Sequence, residues 1–326
     1  MAIHTRLTEI LGIEHPVMLA GMGGVSYHQL VAAVSEAGGF GCLGASTMPG
    51  DQMVDEIRAV KALTSKPFGV DLLTAVGDLK PQVQKLISEG AAVFVAGLGV
   101  PLDVIDMCHR AGVLVISMCG KVRHATNAVE AGCDIVVAQG TEAGGHTGQV
   151  ATFPLVPQIV DAVGGKVPVV AAGGISDGRH LASALCLGAD GIWVGTRFIA
   201  TPEARSVTGY KEALVRTPED GTVISRAFTG KTLRAVRNKW TDYFEQHPDE
   251  LKPFPAQAVH SFQEGAMHLG GDESAEIDPD KECYPAGQGV GAIHEIVPAA
   301  DLVRMFVTQA EETLERVGGL AATRVR

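Results

Sequence analysis

Eight short apolar runs recur through the first 200 residues, one about every 25 residues, and constrain the fold more than any other feature. They are 16–22, 39–46, 67–73, 91–97, 113–120, 133–140, 167–174 and 191–198. Each is apolar almost throughout, as expected of strands buried on both faces of a parallel sheet. Segments with apolar residues at helical spacing lie between the runs, and several of them end in glycine.

Eight β-then-α units predict a closed (β/α)8 barrel, a TIM barrel, with an open doubly wound sheet as the main alternative. The rhythm breaks after Arg197, and residues 205–295 are richer in Pro, Asp, Glu, His and aromatic residues. The segment PAADLVRMFVTQAEETLERVG is then amphipathic and predicts a helix that returns to the barrel. We therefore expect a barrel formed by 1–204 and 296–326, with an inserted, mainly helical lid subdomain over 205–295.

Composition excludes several classes of function. The net charge of −11 and the pI near 5.4 argue against a nucleic-acid partner, because a phosphate-binding surface needs excess Lys and Arg. Six dispersed cysteines form no CxxC pair and show no metal-ligand spacing, so we expect a reducing compartment and no bound metal. With neither a signal peptide nor an apolar membrane span in the sequence, we expect a cytoplasmic protein without a membrane partner.

The tandem segment 167–198 carries the strongest signal for a ligand. Its two strands end in Gly173–Gly174 and Gly195–Thr196, and strand ends on one face of a barrel are where active sites lie. Glycine lets backbone N–H groups approach a phosphate closely, and a following helix adds a favourable dipole. The pair predicts a phosphate-binding site, although any one of these glycines alone is as well explained by a short turn.

A glycine-rich loop, AQGTEAGGHTG at 138–148, follows the sixth strand. It places His146 between Gly144, Gly145 and Gly148 on the face where a substrate would lie. Imidazole is suited to proton transfer near neutral pH, so His146 is the candidate catalytic residue. Gln139, at the strand end, is either a hydrogen-bond partner for a polar ring edge or an ordinary terminal amide.

Two further motifs need interpretation. Residues 39–44, GFGCLG, match the dinucleotide fingerprint GxGxxG but lie within the second predicted strand, so a Rossmann domain is not predicted. This acidic chain also contains a basic cluster, which consists of Lys231, Arg234, Arg237 and Lys239. The cluster is either a site for an anionic tail, such as that of coenzyme A or a nicotinamide dinucleotide phosphate, or a solvated helix face.

Taken in order, PVMLAGMGGVS, PFGVDLL, AQGTEAGGHTG, the tandem segment and PAGQGVG resemble the nitronate monooxygenase (2-nitropropane dioxygenase-like) family over nearly the whole chain. The resemblance implies a TIM barrel that binds FMN without a covalent bond. His146 matches the family's catalytic histidine. The cofactor-binding residues implied are Gly21, Met22, Asp71, Gln139, Gly144, Gly145, Gly173, Gly174, Gly195 and Thr196. Asp71 departs from this pattern, since many members have Asn at the corresponding position. The difference matters because an ionised carboxylate only accepts hydrogen bonds, whereas an amide also donates them.

The resemblance implies oxidation of alkyl nitronates by O2, with His146 as the base that takes a proton from a neutral nitroalkane. Reductases that pass electrons from NAD(P)H to an enoyl thioester or a quinone are similar at the same motifs and form the second hypothesis. A third hypothesis is a phosphate-binding barrel without flavin, similar to IMP dehydrogenase or to a sugar-phosphate isomerase. The first of these needs a nucleophilic cysteine in the loop 140–148, which has none. A catalytically silent flavin-binding module is the remaining alternative. The expected partner is a small-molecule substrate, with NAD(P)H and a homodimer left open.

Overall fold

Eight parallel strands form the central sheet of the structure, a computed structural model that describes residues 3–48, 50–73, 78–97, 99, 101–268 and 276–322. The strands are β1 (Val17–Leu19), β2 (Gly41–Gly44), β3 (Phe68–Leu73), β4 (Val93–Gly97), β5 (Leu114–Cys119), β6 (Ile135–Gln139), β8 (Val169–Ala172) and β9 (Gly191–Val194). Their order is β1-β9-β8-β6-β5-β4-β3-β2, and a parallel bridge between Met18 and Phe40 joins the two ends. The predicted TIM barrel is confirmed, and the open sheet is wrong.

Alternate side chains of the strands other than β3 enter two separate apolar cores, which explains the unbroken apolar runs. On β6, Ile135 and Val137 belong to the inner core, whereas Val136 and Ala138 pack in the layer between strands and helices. Leu7, from α1 (Arg6–Leu11), joins the inner core. This helix therefore closes the end of the barrel opposite the carboxyl ends of the strands and leaves the other end open for a site.

Helices surround the barrel. They are α2 (His28–Glu36), α3 (Gly50–Leu63), α4 (Lys80–Ser88), α5 (Leu102–Arg110), α6 (Val122–Glu130), α7 (Thr152–Val163), α8 (Gly178–Cys186), the short α9 (Thr196–Ile199) and the last helix, α13 (Ala299–Ala322). Helix α13 packs between α8 and α2, in the place of the eighth barrel helix. A β-carbon added to Gly178 would lie 2.4 Å from the carbonyl oxygen of Phe306, so a glycine is needed where α8 meets α13. None of the described helices combines the length and apolar character needed to cross a membrane.

The segment between α9 and α13, which we call the insertion, contains α10 (Tyr210–Arg216), β10 (Thr222–Ser225), β11 (Leu233–Val236), α11 (Lys239–Gln246) and α12 (Ala256–Gln263). Strands β10 and β11 are antiparallel, and β11 also pairs with β7 (Gly145–His146) from the loop after β6. The inserted helices are confirmed, but this three-stranded sheet was not predicted. The insertion has a small apolar core of its own around Phe228, and the subdomain boundaries at 205 and 295 stay a prediction.

Candidate functional site

A large cavity opens at the carboxyl ends of the barrel strands, beneath the insertion. Its volume is about 1440 Å³, beyond the roughly 300–1,000 Å³ typical of small-molecule pockets, so it has room for a cofactor and a substrate together. The lining includes every residue predicted to be catalytic or cofactor-binding: Gly21, Met22, Asp71, Gln139, Gly144, Gly145, His146, Gly173, Gly174, Gly195 and Thr196. The structure brings all of them to one place, and their individual roles stay predictions.

Two glycine turns form one side of the cavity. Gly173 and Gly174, directly after β8, have φ values of +108° and +73°, a backbone region that favours glycine. Gly195, directly after β9, is different because only the ends of two side chains, and no backbone atom, lie close to it. A β-carbon added there would meet nothing nearer than Met22 Sδ at 3.3 Å and Ala20 Cβ at 3.5 Å.

These turns fit the phosphate of a flavin nucleotide. The open side of Gly195 lets an anion reach backbone N–H groups that a side chain at this position would shield. Thr196 stands beside it, and its Oγ1 accepts a hydrogen bond of 2.9 Å from the backbone N–H of Gly287. The turn is therefore fixed from the insertion side and open on the cavity side.

Asp71, at the barrel mouth, is the residue that departs from the family pattern. A β-carbon added to Gly21 would lie 2.2 Å from Asp71 Cβ, so the two segments touch. Asp71 lines the cavity and is half-buried, and desolvation by burial raises the pKa of its carboxyl to about 8. At pH 7 the carboxyl is therefore protonated. A protonated carboxyl donates as well as accepts, so Asp71 retains the donor that Asn would supply.

Replacing Asp71 by asparagine is expected to stabilise the flavin-free protein increasingly as pH rises. The pKa of Asp71 is about 8 in the folded protein, above its ordinary value of 3.8. Below pH 3.8 the carboxyl therefore costs the fold no stability, and the free energy of unfolding falls progressively as the pH rises from 3.8 to 8. The advantage of Asp71→Asn in unfolding free energy should grow by about 1.4 kcal/mol per pH unit from pH 5 to pH 7. Urea unfolding at three pH values measures it, with the exposed Asp106→Asn as control. An advantage independent of pH would show that the carboxyl is already ionised.

The loop that carries His146 is held by the insertion and by β6. Gly145 and His146 form β7 and lie opposite Arg234 and Leu233 of β11. The side-chain amide of Gln139 donates a hydrogen bond of 2.9 Å to the carbonyl oxygen of His146. Gln139 thus positions the histidine loop through its N–H group, and its carbonyl oxygen is left for a contact with a ligand.

The His146 ring faces the cavity and is hydrogen-bonded on one side. Its Nε2 lies 3.1 Å from Oγ1 of Thr229, a buried residue of the turn between β10 and β11. The His146 side chain lines the cavity and remains exposed to solvent. Desolvation of the ring lowers the pKa of His146, and the positive charge of Lys231 lowers it further. The imidazole is therefore neutral at pH 7 and able to accept a proton.

The four residues of the basic cluster have separate surroundings. Arg234 is buried in β11, and its Nε donates a hydrogen bond of 3.0 Å to the carbonyl oxygen of Thr141. Arg237 and Lys239 form ion pairs with carboxylates of the insertion. Lys231 is the member of the four that lines the cavity. The interpretation as one solvated helix face is wrong, because Arg234 lies in a strand and packs inward.

Several residues that support the site had no role predicted from the sequence. Oε2 of Glu142 accepts hydrogen bonds of 2.7 Å from both the backbone N–H and the hydroxyl of Thr152, which fixes the start of the His146 loop. Thr229 and Gly287 were missed because each acts from the insertion, far along the chain. The glycine run PAGQGVG was the available signal for Gly287, while nothing in the sequence distinguishes Thr229.

A closed eight-stranded parallel barrel with a large cavity at the carboxyl ends of its strands defines a (β/α)8-barrel enzyme. A family model described as nitronate monooxygenase matches residues 4–86 and 74–309. The chain therefore belongs to the nitronate monooxygenase family, a family of flavin-dependent oxidoreductases.

Relatives in this family carry more than one activity name. A (3aS,4S,5R,7aS)-5-hydroxy-7a-methyl-1-oxo-octahydro-1H-indene-4-carboxyl-CoA dehydrogenase of Mycobacterium tuberculosis is 41% identical, over 75% of this chain and 69% of its own. A probable nitronate monooxygenase of Staphylococcus aureus is 32% identical, over 82% of this chain and 88% of its own. The structure of FabK from Thermotoga maritima superposes with a TM-score of 0.88 at 33% identity, covering 98% of this chain and 99% of FabK.

Proposed function

We propose that this chain is an FMN-dependent oxidoreductase that oxidises alkyl nitronates with O2 and uses His146 as its base. The observation that carries the proposal is an imidazole, hydrogen-bonded to Thr229 and with a pKa lowered by burial, that lines the same cavity as the open glycine turns. Such a base can take the α-proton of a neutral nitroalkane and so form the nitronate inside the cavity.

The FMN would be held at its phosphate by Gly173, Gly174, Gly195 and Thr196, with Gly21 and Met22 against its ring. When bound, the flavin supplies one-electron oxidation of the nitronate. Asp71 offers a protonated carboxyl to the polar edge of the ring, and Gln139 offers its carbonyl oxygen.

The activity is tested with the purified, flavin-loaded protein and an oxygen electrode. Propyl-2-nitronate is expected to support oxygen consumption without NAD(P)H, and 2-nitropropane to do so more slowly because its α-proton must first be removed. The absence of turnover with any nitronate would refute nitronate oxidation as the activity.

Replacing Lys231 by methionine is expected to move the acidic limb of the kcat/KM profile for 2-nitropropane to higher pH. The ammonium group of Lys231 lowers the pKa of His146, so removing its charge raises that pKa and the base loses its proton only at higher pH. Replacing Arg237, which is ion-paired on the same insertion, by methionine is the matched control. A limb at the same pH in both variants would show that Lys231 does not act on the base.

A second candidate function is oxidoreduction of a coenzyme A thioester, including reduction of an enoyl thioester by NAD(P)H. The size of the cavity favours it, because a nitronate fills only a small part of about 1440 Å³. The similarity to a CoA-thioester dehydrogenase at 41% identity supports the same class of substrate. Rapid anaerobic bleaching of the flavin by NADH, NADPH or a saturated acyl thioester would support this candidate, and stable flavin colour with all three would refute it.

A further inference from the structure

The charge of the cavity lining is opposite to that of the chain. The chain has a net charge of −11, yet the lysine and arginine residues among the described lining are Arg197, Arg226 and Lys231. The carboxyl in that lining is Asp71, which is protonated at pH 7. A cleft lined by positive charge concentrates anionic ligands. The glycine turns provide a site for one phosphate group, and the cations provide positive charge for a second.

Two of the three cations are available to a ligand. Arg226 uses Nε for a hydrogen bond of 2.9 Å to the carbonyl oxygen of Gly230, which fixes the guanidinium and leaves its two terminal nitrogens for an acceptor. Among the described residues neither Arg226 nor Lys231 forms an ion pair with a carboxylate. Arg197 differs because it is buried and donates to the carbonyl oxygens of Ala200 and Glu295.

Two aromatic rings stand beside these cations. Phe254 and Phe262 line the same cavity, and 38% and 41% of their surfaces remain exposed. The ammonium nitrogen of Lys231 lies 4.1 Å from the centre of the Phe254 ring. Exposed rings give a planar heteroaromatic base a surface to stack on, and neighbouring Arg and Lys groups bind phosphate oxygens.

This group of residues is adjacent to the base. Thr229 Oγ1 lies 3.1 Å from His146 Nε2 and accepts a hydrogen bond of 3.3 Å from the backbone N–H of Lys231. A ligand bound by its phosphates to Lys231 can therefore extend its other end towards the imidazole and the glycine turns.

We infer that the insertion carries a second nucleotide-binding subsite, which takes the adenosine diphosphate moiety shared by coenzyme A and NAD(P)H. The insertion subsite consists of Arg226, Lys231, Phe254 and Phe262. It deepens the second candidate function and rests on it, because a thioester substrate or a nicotinamide donor brings this moiety and a simple nitronate does not. The phosphate groups bind the two cations, and the adenine stacks on the aromatic rings.

The test is calorimetric titration of the flavin-loaded protein with coenzyme A, NADH and NADPH in turn, without oxygen. Loading with flavin fills the glycine turns, so any nucleotide that binds must bind elsewhere. At least one of the three is expected to bind, and Arg226→Gln and Lys231→Ala should each weaken that binding about tenfold, since each removes a charged contact. Binding of coenzyme A would identify a thioester substrate as the source of the adenosine diphosphate moiety. Binding of NADH or NADPH would identify the electron donor as its source.

Arg237→Gln is the matched control, because Arg237 lies on the same insertion but pairs with Asp242 and Glu245. Flavin content and circular dichroism check that each variant folds, and Arg226→Lys should retain most of the affinity. Binding of none of the three nucleotides, or equal binding to both variants and the wild type, would overturn the subsite. Flavin bleaching by NADH, NADPH and a saturated acyl thioester is measured on the same preparations, so nucleotide binding without bleaching by any of the three would reject the function and leave the subsite standing.

Discussion

Replacing His146 by alanine is expected to lower kcat/KM for neutral 2-nitropropane by about 10²- to 10⁴-fold, the usual contribution of a positioned general base. Turnover of propyl-2-nitronate should fall by less than about tenfold, because that substrate has already lost the proton that the imidazole would remove. Flavin content should not change, since the proposed phosphate site is formed by the turns after β8 and β9 and not by His146. Steady-state oxygen consumption with the two substrates measures the difference.

Thr229→Val tests a smaller change at the same base than His146→Ala does. It keeps the imidazole but removes the hydroxyl 3.1 Å from Nε2, so the loss with 2-nitropropane should be about fivefold, equivalent to one hydrogen bond. Equal losses with both substrates in His146→Ala would contradict the role of base and indicate that the ring only shapes the cavity. Full activity in His146→Ala would show that His146 takes no part in the reaction.

Gly195→Val is expected to weaken FMN binding by at least about 100-fold, because branched carbons would shield the backbone N–H groups that bind the phosphate. The flavin-free protein should keep its thermal midpoint within a few degrees. The nearest atom to the added β-carbon is the flexible Met22 Sδ at 3.3 Å, so the fold accommodates the change. Fluorescence titration with FMN and a thermal scan of the flavin-free protein measure the two effects separately.

Gly318→Val on α13 is the control for the general cost of this substitution, since nothing lies within 4 Å of a β-carbon there. Gly173 is less suitable as a test. A β-carbon at Gly173 would lie 2.7 Å from Thr152 Oγ1, and its φ of +108° is strained for any other residue, so folding and binding would fail together. Unchanged FMN affinity in Gly195→Val would place the phosphate elsewhere.

The barrel and the position of its cavity were predictable because both follow from burial. A strand such as β6, with apolar side chains in two cores, has the same appearance in any sequence that builds a parallel sheet. Once eight such strands are found, the residues that follow them must meet at one end of the barrel. For this reason Gly21, His146 and Gly195, far apart in sequence, were assigned to one site.

The support of the site was not predictable in the same way. Strand β7 has two residues, too few to show a periodicity, and its partner β11 comes nearly ninety residues later. Thr229 is 83 residues from His146, and a threonine in a turn has no pattern that marks it as a neighbour of an imidazole. The basic residues 231–239 suggested a helix because charge alone does not reveal that Arg234 turns inward to the carbonyl oxygen of Thr141.

The pairing of β7 with β11 has a mechanical consequence. Since the main chain of His146 is the edge of the insertion's own sheet, any displacement of that sheet carries the imidazole with it. Lifting the insertion to admit a bulky molecule would withdraw the proton acceptor at the same moment, and lowering it would return the acceptor to its place. Access to the cavity and the position of the proton acceptor are therefore coupled through this sheet.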